Sequence, residues 1–217
     1  MRVLVIDTAL DACTAAVFED GRALGVRSET MARGHSERLG GFVRDAVAEA
    51  GGGFEALDRI GVTVGPGSFT GLRVGLAFAQ GLGAALDLPV VGVSTLAALA
   101  RSADGGHGAT AAVIDARREQ VYLQLFEDGQ PASEAEALSL EDAATRMADR
   151  SWRVTGSGAA LVGAKASIQA APDPAALAAL TAALDPVTHP PRPLYLRAPD
   201  ATPLTRLPGQ ARPAPAA

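Results

Sequence analysis

Two aspartates in this 217-residue chain stand where chemistry could begin. Asp7 closes the apolar run Val3-Leu4-Val5-Ile6, and Asp115 closes Ala111-Ala112-Val113-Ile114. A carboxylate at the end of a buried strand can hold magnesium and its phosphate, or it can cap the turn that follows. A phosphate grip favours glycine beside the acid, because a backbone without Cβ lets amides close around phosphate oxygens. Here Asp7 is followed by Thr8-Ala9, and Asp115 by Ala116-Arg117-Arg118. Asp7, Thr8 and Asp115 are therefore expected to mark a vestigial nucleotide cleft, with Asp7 and Thr8 a weak phosphate or magnesium site or simply a turn. Arg117 and Arg118 can bind phosphate or pair with Asp115 and Glu119.

The run Gly65-Pro66-Gly67-Ser68-Phe69-Thr70-Gly71-Leu72-Arg73 offers a second site, since glycines before a helix can present free amides to an anion. It lacks the lysine of a Walker A loop. The one lysine of the chain, Lys165, lies far away in sequence. Gly67-Ser68 also lacks the spacing of a nucleophile elbow. The plainer reading is a tight strand-to-helix turn with Ser68 or Thr70 as cap. His35 precedes a helix, and His107 and His189 sit in loop-like contexts; a lone histidine of this kind is read as a packing or hydrogen-bonding residue. Cys13 is the single cysteine, so no internal disulfide and no cysteine zinc site can form.

The elements that carry these residues follow from hydrophobic period. Val5-Ile6-Asp7 recurs as Val113-Ile114-Asp115 and Phe18-Glu19-Asp20-Gly21 as Phe126-Glu127-Asp128-Gly129, at one shared offset of 108 positions. Each copy reads as a strand ending in Asp, a second strand, and an Asp-Gly hairpin turn. Duplication of a lobe explains the shared register. Between the copies, helical spacing predicts a helix over Ser36 to Ala50, capped by Ser36 and stopped by Gly51. A strand over Ile60 to Val64, a helix over Gly71 to Leu86 and a strand over Val90 to Val93 follow.

The first lobe thus reads β-β-β-α-β-α-β-α over Met1 to Ala100. The second has strands near Ala111 to Ile114, Val121 to Phe126 and Trp152 to Thr155, a helix after Ser139, and an Ala-rich helix over Pro174 to Leu184. The expected units are residues 1–104, 105–200, and a Pro- and Ala-rich tail over 201–217. Two lobes that each open on a strand ending in Asp resemble the plan of actin, sugar kinases and heat-shock chaperone ATPases. The expected class is therefore α/β, a two-lobed actin-like ATPase (ASKHA, RNase H-like) fold with duplicated β-β-β-α-β-α lobes.

The helix after the glycine loop is apolar nearly all round, and each interior Gly disfavours it by about 1 kcal/mol relative to Ala. Gly71, Gly75 and Ala79 recur every four residues as a small-residue strip. With Leu39, Phe42, Val43 and Ala46 on the preceding helix and Leu72, Gly75, Leu76 and Ala79 on this one, the expected alternatives are burial within the lobe or a two-helix docking surface. Apolar residues make up 48% and charged residues 20%, a globular balance. No apolar run is expected to reach the roughly 18 residues of a membrane span, which points to a cytoplasmic protein. The net charge of −5 argues against RNA binding by this chain alone, although a local patch can hide within that total.

Val5-Ile6-Asp7-Thr8, His35-Ser36-Glu37-Arg38-Leu39, the run from Gly65 to Arg73, Asp115-Ala116-Arg117-Arg118-Glu119-Gln120-Val121-Tyr122 and Pro193-Leu194-Tyr195-Leu196-Arg197 together resemble the TsaB (YeaZ) family. The resemblance spans Met1 to Arg197. It implies a non-catalytic subunit that pairs with a catalytic homologue of the TsaD kind and with a TsaE-like ATPase. That assembly makes threonylcarbamoyladenosine beside the anticodon of tRNAs reading codons that begin with A. The subunit alone would be a homodimer, would meet tRNA only through the complex, and would need no cofactor, with weak ATP, ADP or magnesium binding at a subunit interface left open. The catalytic homologue carries a His-x-Glu-Gly-His metal motif; the matching positions here are Thr95 and Leu99, and Leu99 cannot hold a metal. The alternatives are a small-molecule kinase of the same fold and a peptidase.

Overall fold

The computed structural model describes residues 1–105, 107–164 and 171–197; Lys165 and the tail over 201–217 lie outside them. The first sheet joins β1 (Arg2–Asp7), β2 (Ala12–Glu19), β3 (Arg22–Thr30), β4 (Arg59–Gly65) and β5 (Val90–Ser94) in the order β3-β2-β1-β4-β5. β1 runs antiparallel to β2 and parallel to β4, so a hairpin meander passes into a parallel set. Successive residues of β1 face opposite sides, and both sides are covered. Leu4 and Ile6 pack under α1 (His35–Ala50) and α2 (Phe69–Leu86), whereas Val3 and Val5 join Val91, Val93, Leu177 and Ala178 on the other face.

α3 (Thr95–Asp104) links the lobes. Ala98 joins the first sheet's second core, while Leu96, Leu99 and Ala100 pack on Ala112, Ile114 and Phe126 of the second lobe. That lobe is built on β6 (Ala109–Arg117) and β7 (Gln120–Glu127). The short strands β8 (Gln130–Pro131) and β9 (Glu136–Ser139) both pair with β7, and β10 (Arg153–Thr155) runs parallel to β6. α4 (Leu140–Arg146) covers it, its first turn capped by Ser139, whose hydroxyl accepts the Asp142 N–H at 3.1 Å.

The predicted repeat lies at equivalent places. Asp7 and Asp115 fall at the ends of β1 and β6, and Asp20-Gly21 and Asp128-Gly129 form the turns after β2 and β7 with φ of 49° and 82°, and 47° and 75°. Positive φ at both central residues is the turn whose twist matches the flanking strands. The duplication is incomplete, however: the second sheet has no described counterpart of β5 or α2. The division at 105–200 also departs from the packing. α5 (Pro174–Ala183) returns to the first sheet, where Thr181 fills the space beside Gly61 and the Arg59 guanidinium donates to the Thr181 and Leu184 carbonyls at 3.0 and 2.8 Å.

Two helix starts differ from expectation. α1 begins at His35 after Gly34 in the left-handed region at φ 90°, without a side-chain cap, and the Ser36 hydroxyl donates to Glu37 instead. α2 begins at Phe69, with Ser68 accepting the Gly71 N–H at 3.3 Å. By length and composition α2 could cross a bilayer, contrary to the expectation that no segment approaches that limit. Its Leu72, Leu76 and Ala79 nevertheless sit in the core under the first sheet.

Candidate functional site

At the end of β1 the Asp7 carboxylate is 1% exposed. Its Oδ1 accepts the Ala9 N–H at 3.0 Å and the Thr63 hydroxyl at 2.7 Å, while Oδ2 is buried without a hydrogen-bond partner. Burial pushes this carboxyl above its ordinary range, against the opposing pull of the two donors and of nearby His35. Thr8 is equally buried, and its hydroxyl donates to the Gly71 carbonyl at 2.8 Å. Asp115 repeats the turn of its counterpart. Its Oδ1 accepts the Arg117 N–H at 2.7 Å, and its Oδ2 meets the Arg117 guanidinium at 3.2 Å. Both aspartates therefore cap the turn two residues on.

The glycine loop lies flush on the β1–β2 turn. Ser68 N–H donates to the Ala9 carbonyl at 2.7 Å, and a Cβ at Gly67 or Gly71 would overlap the carbonyls of Ala9 or Thr8. The glycines permit this close approach of backbone to backbone at Gly67 and Gly71, which is the task their lack of Cβ serves here. Of the oxygens that Asp7, Thr8 and Asp115 offer, Asp7 Oδ1, the Thr8 hydroxyl and both Asp115 carboxylate oxygens are engaged within the chain, and Asp7 Oδ2 alone is buried without a partner. Thr95 and Leu99 are both fully buried on α3, Leu99 among the core side chains that join the lobes. His35 is 8% exposed, and its Nε2 is buried without a partner. Burial also pushes the Cys13 thiol up to about 11.

The structure corrects the predicted docking residues. Leu39, Val43, Ala46, Leu72, Gly75, Leu76 and Ala79 are buried in the first lobe's own core, so they cannot line a surface; only Phe42 is half-buried. The strip of Gly71 and Gly75 faces inward, where a Cβ at Gly75 would overlap the Thr8 hydroxyl. On the outward side, α1 and α2 touch where Gly40 meets the Phe78 ring. The residues there are Gly40, Gly41, Phe42, Val74, Ala77, Phe78, Gly81 and Leu82, all exposed or half-buried. A Cβ at Gly41 or Gly81 would meet nothing. Periodicity alone missed this face because α2 is apolar on both sides, so the buried and outward stripes carry nearly the same signal.

A second surface feature lies on the other flank of α2. The Phe69 and Tyr195 rings stand 5.3 Å apart, and the Arg73 guanidinium lies 3.8 Å over the Phe69 ring. Tyr195 belongs to a terminal strap, residues 185–197, pinned to the first sheet where Gly92 N–H donates to the His189 carbonyl and Leu194 N–H to the Val64 carbonyl. Further along, the Gln80 amide donates to the Pro191 carbonyl, and Arg197 reaches the Ala116 carbonyl of the second lobe at 2.9 Å.

Comparison with known proteins bears on this arrangement. The family model described as "TsaD: tRNA N6-adenosine threonylcarbamoyltransferase" matches residues 16–183. The tRNA threonylcarbamoyladenosine biosynthesis protein TsaB of Escherichia coli (strain K12) is 40% identical over 129 residues, 58% of this chain and 55% of that protein. That match spans about half the relative's length. An uncharacterised protein of Mycobacterium tuberculosis (strain H37Rv) is 40% identical over 210 residues, 93% of this chain and 94% of its own. The solved structure of YeaZ from Pseudomonas aeruginosa is similar with a TM-score of 0.77 at 33% identity, covering 90% of this chain and 99% of that one. A second structure, described as similar to peptidase YEAZ from the same organism, gives 0.79 at 33% identity with the same coverage.

Proposed function

This chain belongs to the TsaB (YeaZ) family and has its two-lobed actin-like ATPase fold, and from that membership we propose that it works in tRNA threonylcarbamoyladenosine biosynthesis as a scaffold subunit without chemistry of its own. Its partner is a TsaD-like catalytic homologue, joined by a TsaE-like ATPase, and alone it forms a homodimer in the cytoplasm. No cofactor is needed by this chain.

One observation supports the docking role above the others. Gly41 and Gly81 lie inside helices, face open space, and stabilise nothing within the chain. Each lowers helix stability by about 1 kcal/mol relative to Ala. A smooth face between Phe42, Val74, Phe78 and Leu82 gains from them only if another surface comes close. The TsaD family model matches residues 16–183, both helices included, which supports an equivalent pair on the catalytic homologue. Two such pairs can meet about a two-fold axis, real in the homodimer and approximate in the heterodimer.

Gly81→Arg tests this without disturbing the fold, since its side chain projects into open space. Ala79→Arg would instead break the core, because Ala79 is 0% exposed. The expected result, read by size-exclusion chromatography with light scattering and by co-purification with the TsaD-like homologue, is a folded monomer that no longer pairs. A Gly81→Arg chain that pairs like the wild type refutes this face.

A further inference from the structure

The stack of Arg73, Phe69 and Tyr195 is used neither by the core nor by the proposed docking face. Phe69 and Tyr195 are 44% and 43% exposed. They lie on the strap side of α2, with Gln80 bonded to the strap, whereas Phe78 faces α1. Three arginines lie over aromatic rings among the described residues, and their surroundings differ. Arg38, over Phe42, is paired with Glu29, and Arg150, over Trp152, is paired with Glu127. Arg73 has no carboxylate partner, and its guanidinium donors are not engaged within the described chain.

Charge sets this flank apart as well. The chain has 24 acidic residues and a net charge of −5. Yet α2 over residues 69–86 and the part of the strap from 186 to 197 contain no Asp or Glu, Asp185 standing at the strap's start, and they carry Arg73, Arg192 and Arg197. Exposed rings, a cation stacked on one of them with its donors open, and a local excess of arginine form a platform for a planar, anionic polymer. Bases stack on such rings whatever their sequence, and the arginine donors meet the phosphates.

We propose that this stack seats an unpaired base of single-stranded RNA, with Arg73 taking a flanking phosphate. The inference rests on the reading that the assembly acts on tRNA, and it adds direct contact between this chain and that RNA. The total charge misleads here, because attraction depends on the local surface within a Debye length of about 8 Å.

The test is fluorescence anisotropy of a labelled, unstructured RNA of about ten nucleotides with the full chain at low salt. Wild type should bind saturably. Phe69→Ala and Tyr195→Ala should each weaken binding about 5- to 100-fold, the range of one lost stacking contact. Tyr195→Trp should preserve binding. Arg73→Gln should weaken it and flatten the slope of log affinity against log salt by about 0.7, the value for one phosphate on a single strand. Arg150→Ala, whose arginine is already neutralised, should change nothing.

Thermal melts of each variant separate lost contact from lost fold, and Tyr195→Trp guards against reading a loosened strap as a lost base. Gly81→Arg should lose pairing yet keep RNA binding, so the two readings fail separately. No saturable binding by wild type overturns the inference. So does binding indifferent to Phe69→Ala and Tyr195→Ala, or loss of partner pairing in those variants with RNA binding unchanged.

Discussion

Asp7 holds a carboxylate away from water with one oxygen doubly hydrogen-bonded and the other unmatched. Burial raises its folded-state proton affinity above the ordinary 3.8. The folded chain therefore binds more protons than the unfolded chain between those two pKa values, and stability falls as pH rises through the folded one. Below about pH 3.8 that handicap is absent. Asp7→Asn keeps the acceptor used by Ala9 and Thr63 and removes the titration. The expected outcome is a melting-temperature difference, variant minus wild type, that grows in the variant's favour across the window that opens as pH rises above 3.8. The thiol of Cys13 ionises above that window, at about 11. A difference that stays flat with pH would mean that Asp7 is not held as described. The sequence offered Asp7 as the cap of the following turn, which the Ala9 amide bears out; it could not reveal that the Thr63 hydroxyl takes the same oxygen, because that contact joins residues far apart along the chain.

The helix α2 contains glycines of two kinds, and the contrast is measurable. A Cβ at Gly71 would overlap the Thr8 carbonyl, whereas one at Gly81 would meet nothing. Gly71→Ala should destabilise by about 1–3 kcal/mol through overpacking against backbone. Gly81→Ala should stabilise the monomer by about 1 kcal/mol through helix propensity. Urea unfolding of the two variants checks both signs, and equal effects would remove the distinction on which the docking face depends. Most elements could be read from the sequence because β1, α1 and β4 have clear periods and flanking breakers. Ser68 could be read as one of two candidate caps. The orientation of α2 could not: its apolar residues surround it, so spacing left Leu72, Leu76 and Ala79 between burial within the lobe and a docking surface, and they are buried in the core. Gly41 and Gly81 gave the available signal, as glycines with no local task. Phe69 and Tyr195 gave none, since a contact across 126 positions (195 − 69) leaves no mark on local pattern.

At the scale of the molecule, α5 covers the face of the first sheet that Val3, Val5, Val91 and Val93 form, and the strap ties that sheet to the second lobe through Arg197. The first lobe is thus completed by residues beyond the second. A fragment of residues 1–104 should expose that apolar face, and the expected outcome is a poorly soluble, dye-binding product rather than a stable lobe. Adding residues 171–197 in trans should restore order; a soluble fragment 1–104 with cooperative melting would contradict the packing described. During synthesis the same arrangement imposes a delay. β1 through β5 leave the ribosome well before Leu177 and Ala178, so a nascent chain carries a bare valine-rich sheet until α5 emerges. Chaperone occupancy of that interval, and sensitivity of yield to translation speed across the second lobe, follow from where α5 rests.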